Sequence, residues 1–131
     1  MLEPDPDTRP FAYALLRVVP RVERGERVNV GVVLFCRQLD YLDLATEVDQ
    51  QRLASIAPDL DLAAVRGRLA AIAGIARGEP DAGPIARLSQ SERFGWIVAP
   101  SSTIIQASHV HTGLTKDPGA ALARLFDMLV T

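Results

Sequence analysis

Cysteine, lysine and tryptophan are almost missing from this chain of 131 residues. It has one Cys and one Trp, and of its 14 basic residues only Lys116 is a lysine. One Cys cannot close an intramolecular disulfide, which excludes the stapled frameworks of small secreted domains. Cys36 lies inside an apolar run and reads as a small buried hydrophobe. No run approaches the roughly 20 apolar residues of a membrane helix. The N-terminus, MLEPDPDTRP, is acidic and proline-rich, without the basic and apolar regions of a secretory signal. The expected location is therefore the cytoplasm, with no membrane contact. A net charge of −2 argues against a general nucleic-acid binder, which is normally basic. Walker A, G-x-G-x-x-G, H-E-x-x-H and G-x-S-x-G motifs are all absent, so no cofactor is expected.

What is present is the composition of one globular domain: 48% hydrophobic and 23% charged. Residues 1–9, with alternating acids and prolines, read as a disordered tail, and 10–131 as a single domain. Phe11 to Val19 predicts a first strand that is apolar on both faces, with Arg17 the exception. Pro20 ends it, and a turn centred on Gly25 returns the chain antiparallel. Val28 to Arg37 predicts a second strand. Its alternation puts Val28, Val30, Val32, Leu34 and Cys36 on one face and Asn29, Gly31, Val33 and Phe35 on the other. Tyr41 to Ala45 completes a meander. Asp49 and Asp61 stand where N-caps belong, the second ahead of Leu62, Val65, Leu69, Ile72 and Ala76 at helical spacing, with Gly78 as a C-terminal cap. A helical turn follows in SQSERFGW, then a fourth strand over Thr103 to Ala107 and a loop over Ser108 to Lys116. Asp117-Pro118 opens a terminal helix. The order βββ-αα-β-α predicts an α+β fold, an antiparallel sheet with helices on one face.

The densest chemistry is RVVPRVERGERVN. Arg17, Arg24 and Arg27 near one turn offer forked donors for a phosphate or carboxylate. Asn29 and Gly31 interrupt an apolar strand, where Asn can bind backbone and Gly admits a close neighbour. Glu26 neutralises a neighbouring arginine or serves as a base. Far along the chain, His109 and His111 would point the same way if extended, as two metal ligands must. No clean third ligand accompanies them, so no metal is assigned. Ser102 and Thr103 lie close to this histidine segment in sequence and make Ser102 a further candidate ligand-binding residue.

Two segments, RVVP…RGERVNVGVVLF and ERFGWIVAPSSTIIQASHVHTGLTKDP, together resemble the DUF3037 family of bacterial proteins, over nearly the whole chain. The resemblance implies recurrent positions at Arg17, Pro20, Gly25, Glu26, Asn29, Gly31, His111, Gly113, Asp117 and Pro118. The resemblance further implies that His109 stands where relatives more often carry Pro, and Gly95 and Ser101 where a basic residue is expected. Members are often encoded beside a HipA-like kinase-type protein. The resemblance thus implies a protein partner in a toxin–antitoxin-like or defence setting.

Three functions are consistent with these residues. The first is a non-enzymatic interaction protein acting with a HipA-like partner, or with a second copy through an edge strand. The second is a small enzyme or ligand-binding domain in which Arg17, Arg24 and Arg27 hold an anion, Asn29 positions it, and Glu26 or His111 moves a proton. The third, a metal-dependent nuclease, needs clustered carboxylates.

Overall fold

The computed structural model describes residues 5–101 and 103–130. Five strands and four helices are laid out as β1 (Arg9–Val18), β2 (Val28–Cys36), β3 (Tyr41–Thr46), α1 (Gln50–Ile56), α2 (Leu62–Arg77), α3 (Gln90–Val98), β4 (Ile105–Ala107), β5 (His111–Thr115) and α4 (Pro118–Leu129). The sheet is antiparallel in the order β3-β2-β1-β4, with β5 also paired to β1. β4 meets the C-terminal half of β1 and β5 the N-terminal half, so the two form one interrupted outer lane. The segment expected to be a loop after the fourth strand is therefore largely strand. Its residues are mostly exposed, and such an edge strand shows no buried alternation to read.

The helix starts follow their caps. Asp49, Asp61 and Asp117 each accept from the backbone N–H three residues on, at 3.1 Å in every case, satisfying a donor the first turn leaves free. Gly25 turns the hairpin with φ +68°. Of the tail, residues 1–4 lie outside the described residues. Asp5 accepts from Asp7 N–H at 2.9 Å and pairs with Lys116 beyond β5.

Helices cover both faces of the sheet rather than one. Ala14, Leu16 and Val18 of β1 pack with α2 and α3 through Leu69, Ile72, Phe94 and Ile97. Phe11 and Leu15 of the same strand pack with Leu122 and Leu125 of α4. Strands apolar on both sides need burial on both sides, because each exposed Leu or Val forgoes about 1.5–3 kcal/mol.

The expected faces of β2 are also corrected. Val32, Leu34 and Cys36 face α4, but Val28 and Val30 join Val33 on the side of α2. The cause is a bulge: Leu16 pairs with Gly31 and Arg17 with Asn29, so Val30 is an extra residue and the alternation reverses across it. Gly31 fits because a Cβ there would lie 3.0 Å from Ala45 O and 2.9 Å from Thr46 Cγ2.

The outer lane carries a matching irregularity. Ala107 pairs with Leu16 and His111 with Tyr13. Four steps of the outer lane thus oppose three of β1. Ser108 repairs the ladder. Its N–H donates to Leu15 O at 2.9 Å, and its Oγ accepts from Leu15 N–H at 2.8 Å while donating to His109 O at 2.9 Å. Ser108 is a polar residue buried in the fold, 7% exposed.

Candidate functional site

Arg17 lies between these two irregularities, paired with Asn29 on one side and Gln106 on the other. It is half-buried and lines a concavity of 570 Å³ with Arg27, which enters from the return of the hairpin. The opposite wall comes from Pro100 and Ser101 after α3, Gln106 of β4, and the break at Ser108 and His109. Among the described residues no aspartate or glutamate lines it. Among the described residues neither Arg17 nor Arg27 has an ion pair or a side-chain hydrogen bond. Arg24, Arg77 and Lys116, by contrast, are paired with Glu26, Asp43 and Asp5. The result is a local positive hollow on a chain of net charge −2. Chemically it can accept a carboxylate or phosphate, which guanidinium forks bind in a planar, two-bond manner.

The other sequence candidates are distributed around it. Arg24 lines a separate hollow with Arg21, Asp59 and Asp61, and forms its 2.9 Å ion pair with Glu26. The 3-10 turn at Val22–Arg24 carries it to that side of the hairpin. Asn29 donates from Nδ2 to Leu129 O at 3.1 Å, tying the bulge to the last turn of α4. His111 stacks on Tyr13 across the β1–β5 pair, ring centroids 5.3 Å apart. Glu26, Asn29 and His111 thus have separate partners, and of Arg17, Arg24 and Arg27 the first and last line this concavity while Arg24 does not. Ser102 lies outside the described residues. The histidine at the concavity is His109. Among the described residues no group of three or more His, Cys, Asp or Glu is placed to hold a metal ion, and no helix is long and apolar enough to cross a membrane.

Three polar lining residues were not among the candidate ligand-binding residues: Ser101, Gln106 and Ser108. Gln106 carried a signal, since it follows SSTII in the second of the two segments on which the family resemblance rests. Ser108 carried none, because a serine in a polar segment gives no sign that its hydroxyl replaces a ladder carbonyl.

The family model for DUF3037, whose description is protein of unknown function, matches residues 13–130. The chain belongs to the DUF3037 family. No curated protein and no solved structure matches it. Every residue lining the concavity of this DUF3037 protein, from Arg17 to Val110, falls within the matched span.

Proposed function

We propose that this DUF3037 protein is a non-enzymatic interaction module that receives an acidic group of a protein partner in the hollow between Arg17 and Arg27. One observation carries the reading: two guanidinium groups that have no ion pair among the described residues line a concavity to which no described carboxylate contributes. Guanidinium is less strongly hydrated than ammonium and favours interface ion pairs. An anion brought by a partner would neutralise both at once.

The partner that the family resemblance suggests, a HipA-like kinase-type protein, is the first to test. Co-expression followed by size-exclusion chromatography should give a joint peak. The Arg17→Gln, Arg27→Gln double variant should weaken association at least tenfold, and added salt should weaken the wild type in the same direction. Arg24→Gln, whose guanidinium already has Glu26, should leave association close to wild type. A double variant that binds as well as wild type would overturn the proposal.

A further inference from the structure

Beside this hollow lies a second, smaller one of 200 Å³, lined by Leu16, Ile72, Ile97, Ile105, Arg68 and Trp96. Pro100, Ser101 and Ala107 border both. Among the described residues its walls are apolar apart from Ser101 and the arginine. Arg68, from the middle of α2, holds its guanidinium carbon 5.6 Å from the centroid of the Trp96 ring. That side chain has no ion pair and no hydrogen bond among the described residues, and its Nε is shut off from solvent without an acceptor. Arg93 also has a buried Nε without an acceptor, but its Nη1 donates to Leu88 O at 3.3 Å and holds the chain there. Arg68 has no such employment. A ligand cannot reach that buried Nε, but Nη1 and Nη2 are not shut off in the same way and are equally unpaired among the described residues, so the end of the guanidinium is the part offered to the cavity. Trp96, 38% exposed, is similarly out of place for the chain's largest side chain.

We propose that this cavity takes a carboxylate attached to a short apolar group, namely the C-terminal end of a partner polypeptide whose last side chain is aliphatic. The inference rests on the partner reading above and names the part of the partner that docks. The planar fork of Arg68 matches a carboxylate. The apolar walls suit the adjoining side chain, whereas a phosphate would turn its remaining oxygens onto Leu16 and Ile105. The volume is below the roughly 300–1,000 Å³ of whole small-molecule sites, which fits one anchoring side chain. The polypeptide preceding that terminus would leave past Pro100 and Ser101 toward Arg17 and Arg27, where acidic residues upstream would be received.

Trp96 is the only tryptophan, so its fluorescence reports on this cavity alone. The probes are acetyl-Ala-Ala-Leu with a free carboxylate, the same peptide as its C-terminal amide, and inorganic phosphate. The free acid should change Trp96 emission saturably at millimolar concentration. The amide and phosphate should bind at least tenfold more weakly. Arg68→Gln should weaken the acid at least tenfold, and Arg68→Lys, which keeps charge and stem, should restore part of the loss if Gln disturbs packing. The Arg17→Gln, Arg27→Gln variant should bind this uncharged-upstream peptide as wild type does. Equal binding of acid and amide, no response to the acid, or phosphate binding as tightly as the acid would overturn the inference. So would loss of the response in the Arg17, Arg27 variant but not in the Arg68 variants. In each of those cases the partner reading, tested through Arg17 and Arg27, would still stand.

Discussion

β1 is flanked by two irregularities that are alike in count and unlike in consequence. On the inner side β2 inserts Val30 opposite the step from Leu16 to Arg17. On the outer side the β4–β5 lane inserts one residue opposite the stretch from Tyr13 to Leu16. A polar side chain serves each: Ser108 stands in as a ladder partner of Leu15 on the outer side, and Asn29 ties the inner bulge to Leu129 O of α4. The inner one is closed in by β3 and α4, and its extra residue goes into the core, where Val30 is 1% exposed. Among the described residues no further strand lies beyond the outer one. Its extra residue swings the chain at His109 and Val110 away from β1 and leaves the hollow at Arg17. The same backbone device therefore packs the protein where neighbours cover it and builds a site where they do not.

The sharpest way to break this comparison is to fill the inner bulge. Gly31→Val places a branched side chain where even a Cβ meets Ala45 O at 3.0 Å and Thr46 Cγ2 at 2.9 Å. The methyl can turn aside but the carbonyl is fixed in the β2–β3 pairing. Destabilisation of about 3 kcal/mol is expected, the upper end for overpacking, read from the urea midpoint. A loss under about 0.5 kcal/mol would mean that β3 yields easily and that the bulge is not pinned from outside.

Next in size is the outer repair. Ser108→Ala removes the acceptor for Leu15 N–H and leaves that buried donor unpaired, a cost of about 2 kcal/mol. The exchange rate of the Leu15 amide should rise beyond what the global loss of stability predicts, because the opening is local. Ser108→Thr keeps the hydroxyl and should retain slow exchange. If Ser108→Ala leaves Leu15 as protected as before, the hydroxyl is not what holds the outer lane. Asn29→Ala should cost less, about 1 kcal/mol, since Leu129 O sits at a helix end where water can replace the lost donor. An equal cost for the two variants would erase the distinction between a ladder repair and a tie to a helix end.

How much of this could be read from the residues depends on whether a feature is local. The caps at Asp49, Asp61 and Asp117 were legible because an acceptor at the N-cap needs only the next three residues. The turn at Gly25 was legible for the same reason. That β1 is apolar on both faces also stood in the sequence, and it should have implied helices on both sides of the sheet. The two irregularities were not legible. In VNVGVVLFC nearly every position is apolar, so a reversal of alternation leaves no mark, and a bulge is defined only against a partner strand. The meeting of Arg27 with His109, and of Arg68 with Trp96, depends on those pairings and on helix packing. Arg68 simply reads as a residue on the outer side of a helix until α3 is laid beside it.

The smallest expected effect concerns the end of the outer lane and uses pH. The hydrogen bond from Lys116, then that from the Asp7 backbone N–H, holds the Asp5 carboxyl below its ordinary value of 3.8. A group lowered in the folded state contributes its tether fully above the ordinary carboxylate range and loses it as pH falls through the lowered value. Acid should therefore free residues 5–7 from the end of β5 while the inner bulge, which has no carboxylate in its bonding, stays unchanged. Followed by NMR, the Asp7 amide should shift with an inflection below 3.8, and the Val30 amide should show none. Lys116→Ala should move the Asp7 inflection upward. An inflection indifferent to Lys116 would show that the tail is held by its own turn, Asp5 to Thr8, and that the outer lane ends at Thr115 without an electrostatic clasp.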